Sequence, residues 1–387
     1  MRKPYMTIAG ALLLTACGSH GAGSEHQTEA PLAAPSSLPI EAVTGDALYV
    51  VNGEDSSISV VDPGDGKVLG TIALQNVSFP HHIYMSPDRA WLAVAVPGHD
   101  LSGGHSAGAA TAGEHGAHGS SVGVTPATTH GTPVHGAAAA EKPMGGAVLV
   151  LDARSGATIK ARRLDAPNHN AIFSPDGREI WTAQLVDAGT VLVLDAETLE
   201  TTKTISVGRV PAEVTFSPDG KFAFVANGTS NDVSVIDVSS KSVVKTIAVD
   251  SEPVGAWPGA DGMMYVDCEV AKTIKAIDPK TLEVVRTYAL GFTPGFAAVP
   301  PSRTGELWLT DADSGKVVFN KTSADAKTGD LPTAPGAHAL AFSPDGKAAY
   351  VTNQLGGSIS IIDTNTRTVT SSVAVGKKPN GIVFRSR

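Results

Sequence analysis

The stretch FSPDGKAAYVTNQLGGSISIIDTNTRTVTSSVAV, from Phe342 to Val375, contains most of the information that decides the fold. Its apolar runs are short, about four to eight residues, and rich in β-branched side chains, and turns at Pro-Asp-Gly and Gly-Gly separate them. Helical periodicity is absent from it. The stretch therefore predicts a succession of short antiparallel strands joined by tight turns.

The same unit recurs along the chain with a period of about 42 residues, which is typical of repeat architectures. The position that ends its third strand is Asp or Asn in every copy: Asp62, Asp152, Asp195, Asp237, Asp278, Asn320 and Asp363. Since this residue belongs to the repeat, we assign it no chemistry.

Turns of the Ser-Pro-Asp type mark six complete units, and a seventh is divided between the two ends of the chain. Strands from about Ala47 to Leu74 lack a first strand, and KPNGIVFR near the C-terminus supplies one. Four strands in each unit are typical of propeller blades, and closure of the ring would remove open strand edges. The sequence thus predicts an all-β, seven-bladed β-propeller over residues 43–387, closed by pairing of its N- and C-terminal strands in one blade.

The unit resembles the repeats of the YVTN β-propeller family. The signature stands as Tyr350-Val351-Thr352-Asn353, with variants at Tyr49-Val50-Val51-Asn52 and Phe224-Val225-Ala226-Asn227. The resemblance implies the fold and says little about function, because members of this family include surface antigens, a lactonase, a haem-holding domain and metal carriers.

The N-terminus has the features of a bacterial lipoprotein leader. Arg2 and Lys3 precede a short apolar run that ends at Leu14-Thr15-Ala16-Cys17, which resembles a lipobox. We expect residues 1–16 to be a signal peptide, Cys17 to be acylated, and residues 17–42 to be a flexible tether. The protein would then be a lipid-anchored monomer that faces the periplasm, and Gly18 after the cysteine favours the outer membrane.

Residues 97–144 interrupt one repeat with a Gly/Ala/Ser-rich segment that we expect to be disordered. A tract of this kind that carries histidines is typical of metal-collecting segments, although an inert linker is the alternative. The histidines of this segment are His99, His105, His115, His118, His130 and His135.

Further histidines lie at one equivalent position of three blades. His81, His169 and His338 each stand five residues before the first residue of their Ser-Pro-Asp-type turn, and His82 follows His81. In a propeller the first strand of each blade lines the central channel, so these side chains are expected at one mouth of the channel, beside the insertion. Imidazole suits zinc and copper. We therefore predict a zinc or copper site formed by His81, His82, His169 and His338, and the alternative is that each histidine bonds only to neighbouring backbone.

Two other side chains are expected near this mouth of the channel. Glu213 stands four residues before Ser217 and is a candidate carboxylate ligand. Cys268 is expected to be a small buried residue, and with Cys17 acylated no internal disulfide is possible.

Composition and motifs exclude several classes of function. A net charge of −9 without a basic run argues against a nucleic-acid partner. The sequence contains no HExxH, P-loop or CxxCH motif. We accordingly predict a protein that is not an enzyme, which collects a transition metal and passes it to a metal-accepting partner protein, in a layout similar to periplasmic zinc-carrier propellers. The alternatives are a surface scaffold that binds protein or glycan, and a haem-holding propeller.

Overall fold

The computed structural model describes residues 42–101 and 145–387, which form strands β1 to β28 and no helix within these two ranges. In this part of the chain no helix is long and apolar enough to cross a membrane. The chain divides into two units, Met1–Pro31 and Leu32–Arg387, and every described residue belongs to the second. The expected signal peptide and Cys17, and the insertion after Leu101, lie outside the described residues.

The strands form seven four-stranded antiparallel sheets, which are called blades 1 to 7. The strands of each blade are given in order from the innermost to the outermost. Blade 1 contains β28 (Pro379–Arg385), β1 (Ala47–Asn52), β2 (Ser57–Val61) and β3 (Val68–Ala73). Blade 2 contains β4 (Ile83–Met85), β5 (Trp91–Val96), β6 (Ala147–Asp152) and β7 (Thr158–Arg163). Blade 3 contains β8 (Ile172–Phe173), β9 (Glu179–Gln184), β10 (Thr190–Asp195) and β11 (Thr201–Ser206).

Blades 4 to 7 follow in simple chain order. Blade 4 contains β12 (Pro211–Phe216), β13 (Phe222–Asn227), β14 (Asp232–Asp237) and β15 (Ser242–Ala248). Blade 5 contains β16 (Pro253–Pro258), β17 (Met264–Cys268), β18 (Thr273–Asp278) and β19 (Glu283–Ala289). Blade 6 contains β20 (Pro294–Ala298), β21 (Glu306–Asp311), β22 (Lys316–Lys321) and β23 (Lys327–Pro332). Blade 7 contains β24 (Ala337–Phe342), β25 (Ala348–Asn353), β26 (Ser358–Asp363) and β27 (Thr368–Ala374).

The core lies between neighbouring blades. The second and third strands of each blade are almost wholly buried, whereas the outermost strands consist mostly of exposed and half-buried residues. Large side chains such as Trp181, Tyr265 and Trp308 are fully buried. The hydrophobic clusters join residues of adjacent sheets, as where Tyr49 of blade 1 packs with Leu92 of blade 2. The stability of each blade therefore depends on its two neighbours.

The first strands of neighbouring blades contact one another and surround the central channel, and β28 lies between β24 and β4. The predicted closure is confirmed, because β28 pairs antiparallel with β1, with Phe384 opposite Leu48 and Ile382 opposite Val50. The all-β, seven-bladed prediction is confirmed as well.

The repeated polar residues organise turns, as their place in the repeat predicts. In blade 2, Ser86 Oγ donates to Asp88 Oδ1 (2.6 Å) and accepts the N–H of Trp91 (2.9 Å). At the end of β6, Asp152 Oδ1 accepts the N–H of Ser155 (2.7 Å). These hydrogen bonds favour the carboxylate form and hold the pKa of Asp88 and Asp152 below the ordinary value, although burial opposes this at Asp152.

Removal of residues 378–387 tests the closure. The truncation would leave β1 with an unpaired edge and would remove Ile382, Val383 and Phe384 from their hydrophobic clusters. Burial of one such side chain contributes roughly 1.5–3 kcal/mol, against a total stability of roughly 5–15 kcal/mol. We expect the truncated protein to aggregate or to lose its cooperative unfolding transition in calorimetry. Removal of Ser386 and Arg387 alone, which lie beyond β28, is the control and should change little. A soluble 378–387 deletion with an unchanged melting temperature would contradict the closure.

Candidate metal centre

A cluster of polar side chains occupies one mouth of the channel, at the start of the first strands of neighbouring blades. His81 and His82 directly precede β4, His169 precedes β8, and Glu213 lies in β12. The Ser-Pro-Asp turns follow the other ends of these strands. The cluster and the turns therefore lie at opposite ends of the channel, as the sequence predicts.

The backbone of His81 and His82 is fixed from two sides. His81 donates its N–H to Ala95 O (2.9 Å), and Ala95 donates to His82 O (3.0 Å), so both residues are bound to β5. From blade 1, Gly381 donates its N–H to His81 O (2.9 Å). A Cβ at Gly381 would lie 2.8 Å from both His81 O and His82 Cα, so this approach of two blades requires glycine.

His169 is held by the asparagines on either side of it. Asn168 donates through Nδ2 to Thr182 Oγ1 (3.1 Å), a residue of β9. Asn170 bridges to blade 4, because its Nδ2 donates to Val214 O (2.8 Å) and its Oδ1 accepts the Val214 N–H (3.2 Å). The sequence Asn-His-Asn thus holds one histidine between two sheets.

The three imidazoles form one compact group. His81 Nε2 lies 3.0 Å from His169 Nε2, and the ring of His82 lies 4.6 Å from that of His81 and 4.7 Å from that of His169. One nitrogen from each ring can be chosen so that all three lie within 4.8 Å of one another. Each residue is at most 4% exposed. On the far side of His81, the side-chain amide of Asn380 contacts Nδ1.

Glu213 joins two of these rings. Its Oε1 lies 3.2 Å from His82 Nε2 and 3.3 Å from His169 Nδ1, and the residue is fully buried. A carboxylate against one nitrogen of an imidazole fixes the orientation of the ring and leaves the other nitrogen for a ligand. At His169 that other nitrogen is Nε2, which faces His81. The sequence-based suggestion that Glu213 belongs to this mouth agrees with its position.

The distances group the predicted histidines differently from their equivalent positions in the repeat. His338, in β24, is half-buried, and its ring centre lies 6.1 Å from that of His81 and 6.2 Å from that of His82. The compact group contains His82 in place of His338. His99 of the predicted collecting segment is exposed. The other histidines of that segment lie outside the described residues: His105, His115, His118, His130 and His135.

Both described ends of the insertion lie beside this mouth. Near the start of the insertion, Asp100 forms an ion pair with Lys378, two residues from Asn380. After it, Ala147 O accepts a hydrogen bond from Asn168 Nδ2 (3.3 Å), next to His169.

Asp267 and Tyr84 also lie near the cluster, but neither belongs to a set of like residues at equivalent positions of several blades, which is how the histidines were predicted. Asp267 is fully buried in β17, where its Oδ1 accepts the N–H of Gly255. Burial raises the pKa of Asp267 well above its usual value, and the charges of Glu269 and Glu213 add to this. Tyr84 lies with its ring 6.3 Å from that of His82, and burial, with the Glu213 charge, raises the pKa of its hydroxyl.

A signal for Asp267 does exist in the repeat. It occupies the third position of the YVTN-like signature, where the other blades have alanine, valine or threonine: Val51, Ala95, Ala183, Ala226, Thr310 and Thr352. Cys268 beside it is fully buried, as predicted, and burial together with the charges of Asp267 and Asp250 raises the pKa of its thiol to about 12.

No family model matches the chain, and no curated protein matches it. Solved structures do resemble it. The periplasmic gluconolactonase of Pseudomonas aeruginosa aligns with a TM-score of 0.65 at 19% identity, covering 88% of this chain and 99% of that one. The hydrazine synthase of Kuenenia stuttgartiensis aligns with a TM-score of 0.61 at 18% identity, covering 89% and 99%. The dihydro-heme d1 dehydrogenase NirN in complex with DHE aligns at 0.60 and 14% identity, covering 89% and 76%.

These similarities establish the shared propeller fold. They also contradict the prediction that the protein is not an enzyme, because the gluconolactonase, which has this fold over nearly its whole length, is an enzyme. The absence of HExxH, P-loop and CxxCH motifs does not exclude an enzyme, since a propeller assembles its site from residues far apart in sequence.

Asp267→Asn tests the electrostatics of the channel. Because the pKa of Asp267 in the folded state lies above the unfolded value of 3.8, the folded protein binds more protons between these two values, and its stability falls as pH rises there. We expect Asp267→Asn to melt at a higher temperature than the parent at pH 8, with a smaller difference at pH 5, measured by calorimetry. Asp345→Asn is a control of opposite sign, since hydrogen bonds from Ser343 and Lys347 lower the pKa of Asp345. An Asp267→Asn protein less stable than the parent at pH 8 would contradict this account.

Proposed function

We propose that the protein binds a zinc or copper ion at the channel mouth through His81, His82 and His169. The observation that carries the proposal is the group of three buried imidazoles with ligand atoms within 4.8 Å of one another. Three histidines with a further position open for water or substrate are a donor set that zinc uses in catalytic sites, and imidazole also suits copper.

The geometry fits such an ion. Two nitrogens bound to one zinc at about 2.0–2.1 Å in tetrahedral geometry lie roughly 3.3 Å apart. The observed separation of His81 Nε2 and His169 Nε2 is 3.0 Å, so small ring movements would complete the pair. Glu213 would orient His169 and balance part of the positive charge of the ion.

We further propose that residues 97–144 collect metal for this site and that acylated Cys17 anchors the protein at a membrane facing the periplasm. The support for the first part is the position of Asp100 beside Lys378 and of Ala147 beside Asn168, which places both ends of the segment near the cluster. A metal-accepting partner protein would receive the ion at the same mouth. The sequence of the N-terminus supports the second part.

A second candidate is hydrolysis of a lactone at this centre. The position of Glu213 favours it, since a carboxylate beside the imidazoles can accept the proton of a water molecule that attacks the lactone carbonyl. The ring C–O bond then breaks and the leaving oxygen takes up a proton. A bound zinc would supply activation of that water and polarisation of the carbonyl. The gluconolactonase with the same fold makes gluconolactone the first substrate to assay, with the Glu213→Gln variant as comparison.

Two measurements distinguish the proposed metal site from the scaffold and haem alternatives. Elemental analysis and a visible absorption spectrum of the purified protein separate an ion held by imidazoles from a haem, and a protein without metal or haem favours the scaffold.

Replacement of the three clustered histidines tests the metal site. We expect the His81→Ala, His82→Ala, His169→Ala triple variant to fold and to lose tight zinc and copper binding in calorimetric titration. His338→Ala is the matched control and should retain the tight site, because its ring lies outside the compact group. In the parent protein, affinity should fall as pH drops through about 6.5, since imidazole must be neutral to bind a metal. If the folded triple variant binds metal as tightly as the parent, the site is elsewhere.

Removal of the insertion tests the collecting role. Replacing residues 102–144 by a short Gly-Ser turn keeps the Asp100–Lys378 ion pair and should leave the fold intact. We expect fewer ions bound per protein and slower uptake, with one tight site retained. A full-length variant with serine at the five histidines of this stretch (His105, His115, His118, His130 and His135) should behave alike, which separates side-chain chemistry from segment length. Unchanged stoichiometry in both proteins would identify the segment as a linker.

A further inference from the structure

An open polar cavity of about 570 Å³ lies between blades 1 and 2, on the face of the propeller that carries the Ser-Pro-Asp turns. The side chains of its wall carry four positive charges and two negative ones, which belong to Asp88 and Asp152. The positive groups come from three separate segments, namely the turn after β4, the turn after β6 and the end of β28. They are Arg89, Arg154, Arg385 and Arg387.

The cavity lies beside the point where the ring is closed. In blades 2 to 7 a turn joins the first strand to the second, but β28 and β1 come from opposite ends of the chain and are not joined by a turn in the described ranges. Arg385 therefore stands where four other blades have the first serine of their turn: Ser86, Ser174, Ser217 and Ser343. The divided blade thus places a guanidinium group at a position that elsewhere serves only the turn.

Arg385 is fixed in position by main-chain oxygens. The residue is 5% exposed, and its Nη1 donates to Gly45 O (3.2 Å) and Val43 O (3.5 Å). Its Nε is enclosed, whereas the other terminal nitrogen, Nη2, retains accessible surface and has no acceptor within residues 42–101 and 145–387. A buried charge without a partner is costly, and an anion in the cavity would offset that cost.

The positive charges of this wall are not neutralised by neighbouring side chains. In the described part of the chain none of the four arginines forms an ion pair with a carboxylate, although four arginines elsewhere do: Arg178, Arg209, Arg303 and Arg367. Arg89 has only a long hydrogen bond to Arg387 O (3.5 Å). The carboxylates of Asp88 and Asp152 accept hydrogen bonds from their own turns. The guanidinium groups therefore remain available to a ligand.

We propose that this cavity binds a phosphate group through Arg89, Arg154 and Arg385. Guanidinium groups bind phosphate oxygens with strong, directed hydrogen bonds. Donors from three segments around one cavity suit the tetrahedral oxygens of phosphate better than the planar pair of a carboxylate. The site is separate from the histidine cluster and does not rest on the function proposed above.

Inorganic phosphate and the phosphodiester of a lipid headgroup share this chemistry. The first described residues lie beside the cavity, because Val43 donates its N–H to Arg154 O (2.9 Å). If Cys17 is acylated, the expected tether therefore joins the propeller at this cavity, and the headgroups of the membrane are a second source of phosphate.

The test is isothermal titration calorimetry of the metal-free full chain with two probes, inorganic phosphate and glycerophosphoglycerol, which is the deacylated form of phosphatidylglycerol. We expect one saturable site per chain. Tighter binding of inorganic phosphate would identify a free phosphate or a phosphate monoester as the ligand. Equal or tighter binding of glycerophosphoglycerol would identify a lipid headgroup.

Two variants remove the donors. Arg89 and Arg154 are exposed, so the Arg89→Gln, Arg154→Gln double variant should fold, and we expect it to bind the preferred probe at least about 10-fold more weakly. Arg385→Lys keeps the charge but has only one terminal nitrogen, and it should also weaken binding, with thermal unfolding as the check on folding. Arg178→Gln is the matched control, because Arg178 lies in the corresponding turn of blade 3 and pairs with Asp176 outside this wall.

Absence of saturable binding of both probes to the parent would overturn the proposal, and so would a folded double variant that binds as tightly as the parent. An equal loss in Arg178→Gln would show that overall charge attracts phosphate, which contradicts a built site. The triple variant of the clustered histidines should bind phosphate like the parent. Loss of binding in that variant would place the phosphate at the metal centre and overturn the proposal.

Discussion

Pairing of β28 with β1 is the interaction on which the rest of the molecule depends. Without it, β1 would have an unpaired edge and the ring of first strands would be incomplete. The same strand also contributes to the candidate metal centre. Gly381 donates to the backbone of His81, and Asn380 contacts its ring. Closure of the fold and the position of His81 in the cluster therefore depend on the same strand, since residues at the end of the chain hold a residue near its beginning.

The candidate centre forms where neighbouring sheets meet, and each sheet contributes only one or two of its side chains. His81 and His82 come from blade 2, His169 from blade 3 and Glu213 from blade 4. Hydrogen bonds between backbone and side chains, such as the bridge from Asn170 to Val214, fix the separation of these blades. A site held in this way is preorganised, because the backbone positions of its side chains shift only if entire sheets move. Burial of Glu213 among imidazoles also makes a bound cation an effective partner for its charge.

The two mouths of the channel have opposite character. The starts of the first strands provide imidazoles and a carboxylate, and their ends provide aromatic rings and proline. This division follows from the repeat, because equivalent positions of successive blades form rings of side chains at a constant depth in the channel. Tyr84 lies between the two regions, with its hydroxyl in the electrostatic field of Glu213 and its side chain in the wall of an apolar cavity at the other mouth. The likeness to enzymes of the same fold shows only that this scaffold can support catalysis.

The sequence by itself determined the number of blades, the four strands in each, the closure by KPNGIVFR and the mouth at which the histidines lie, because all of these follow from a repeat with a fixed period. Only the tertiary structure decided which side chains meet. Register places His81, His169 and His338 at one depth, but distance around the ring separates His338 from the others, since blade 1 lies between blades 7 and 2. His82 joins the group because it precedes β4: alternation of side chains between two faces applies within a strand, and here the strand has not begun. The repeat marks Asp267 as unusual at its position, but only the structure shows that it is fully buried and within the electrostatic field of Glu213.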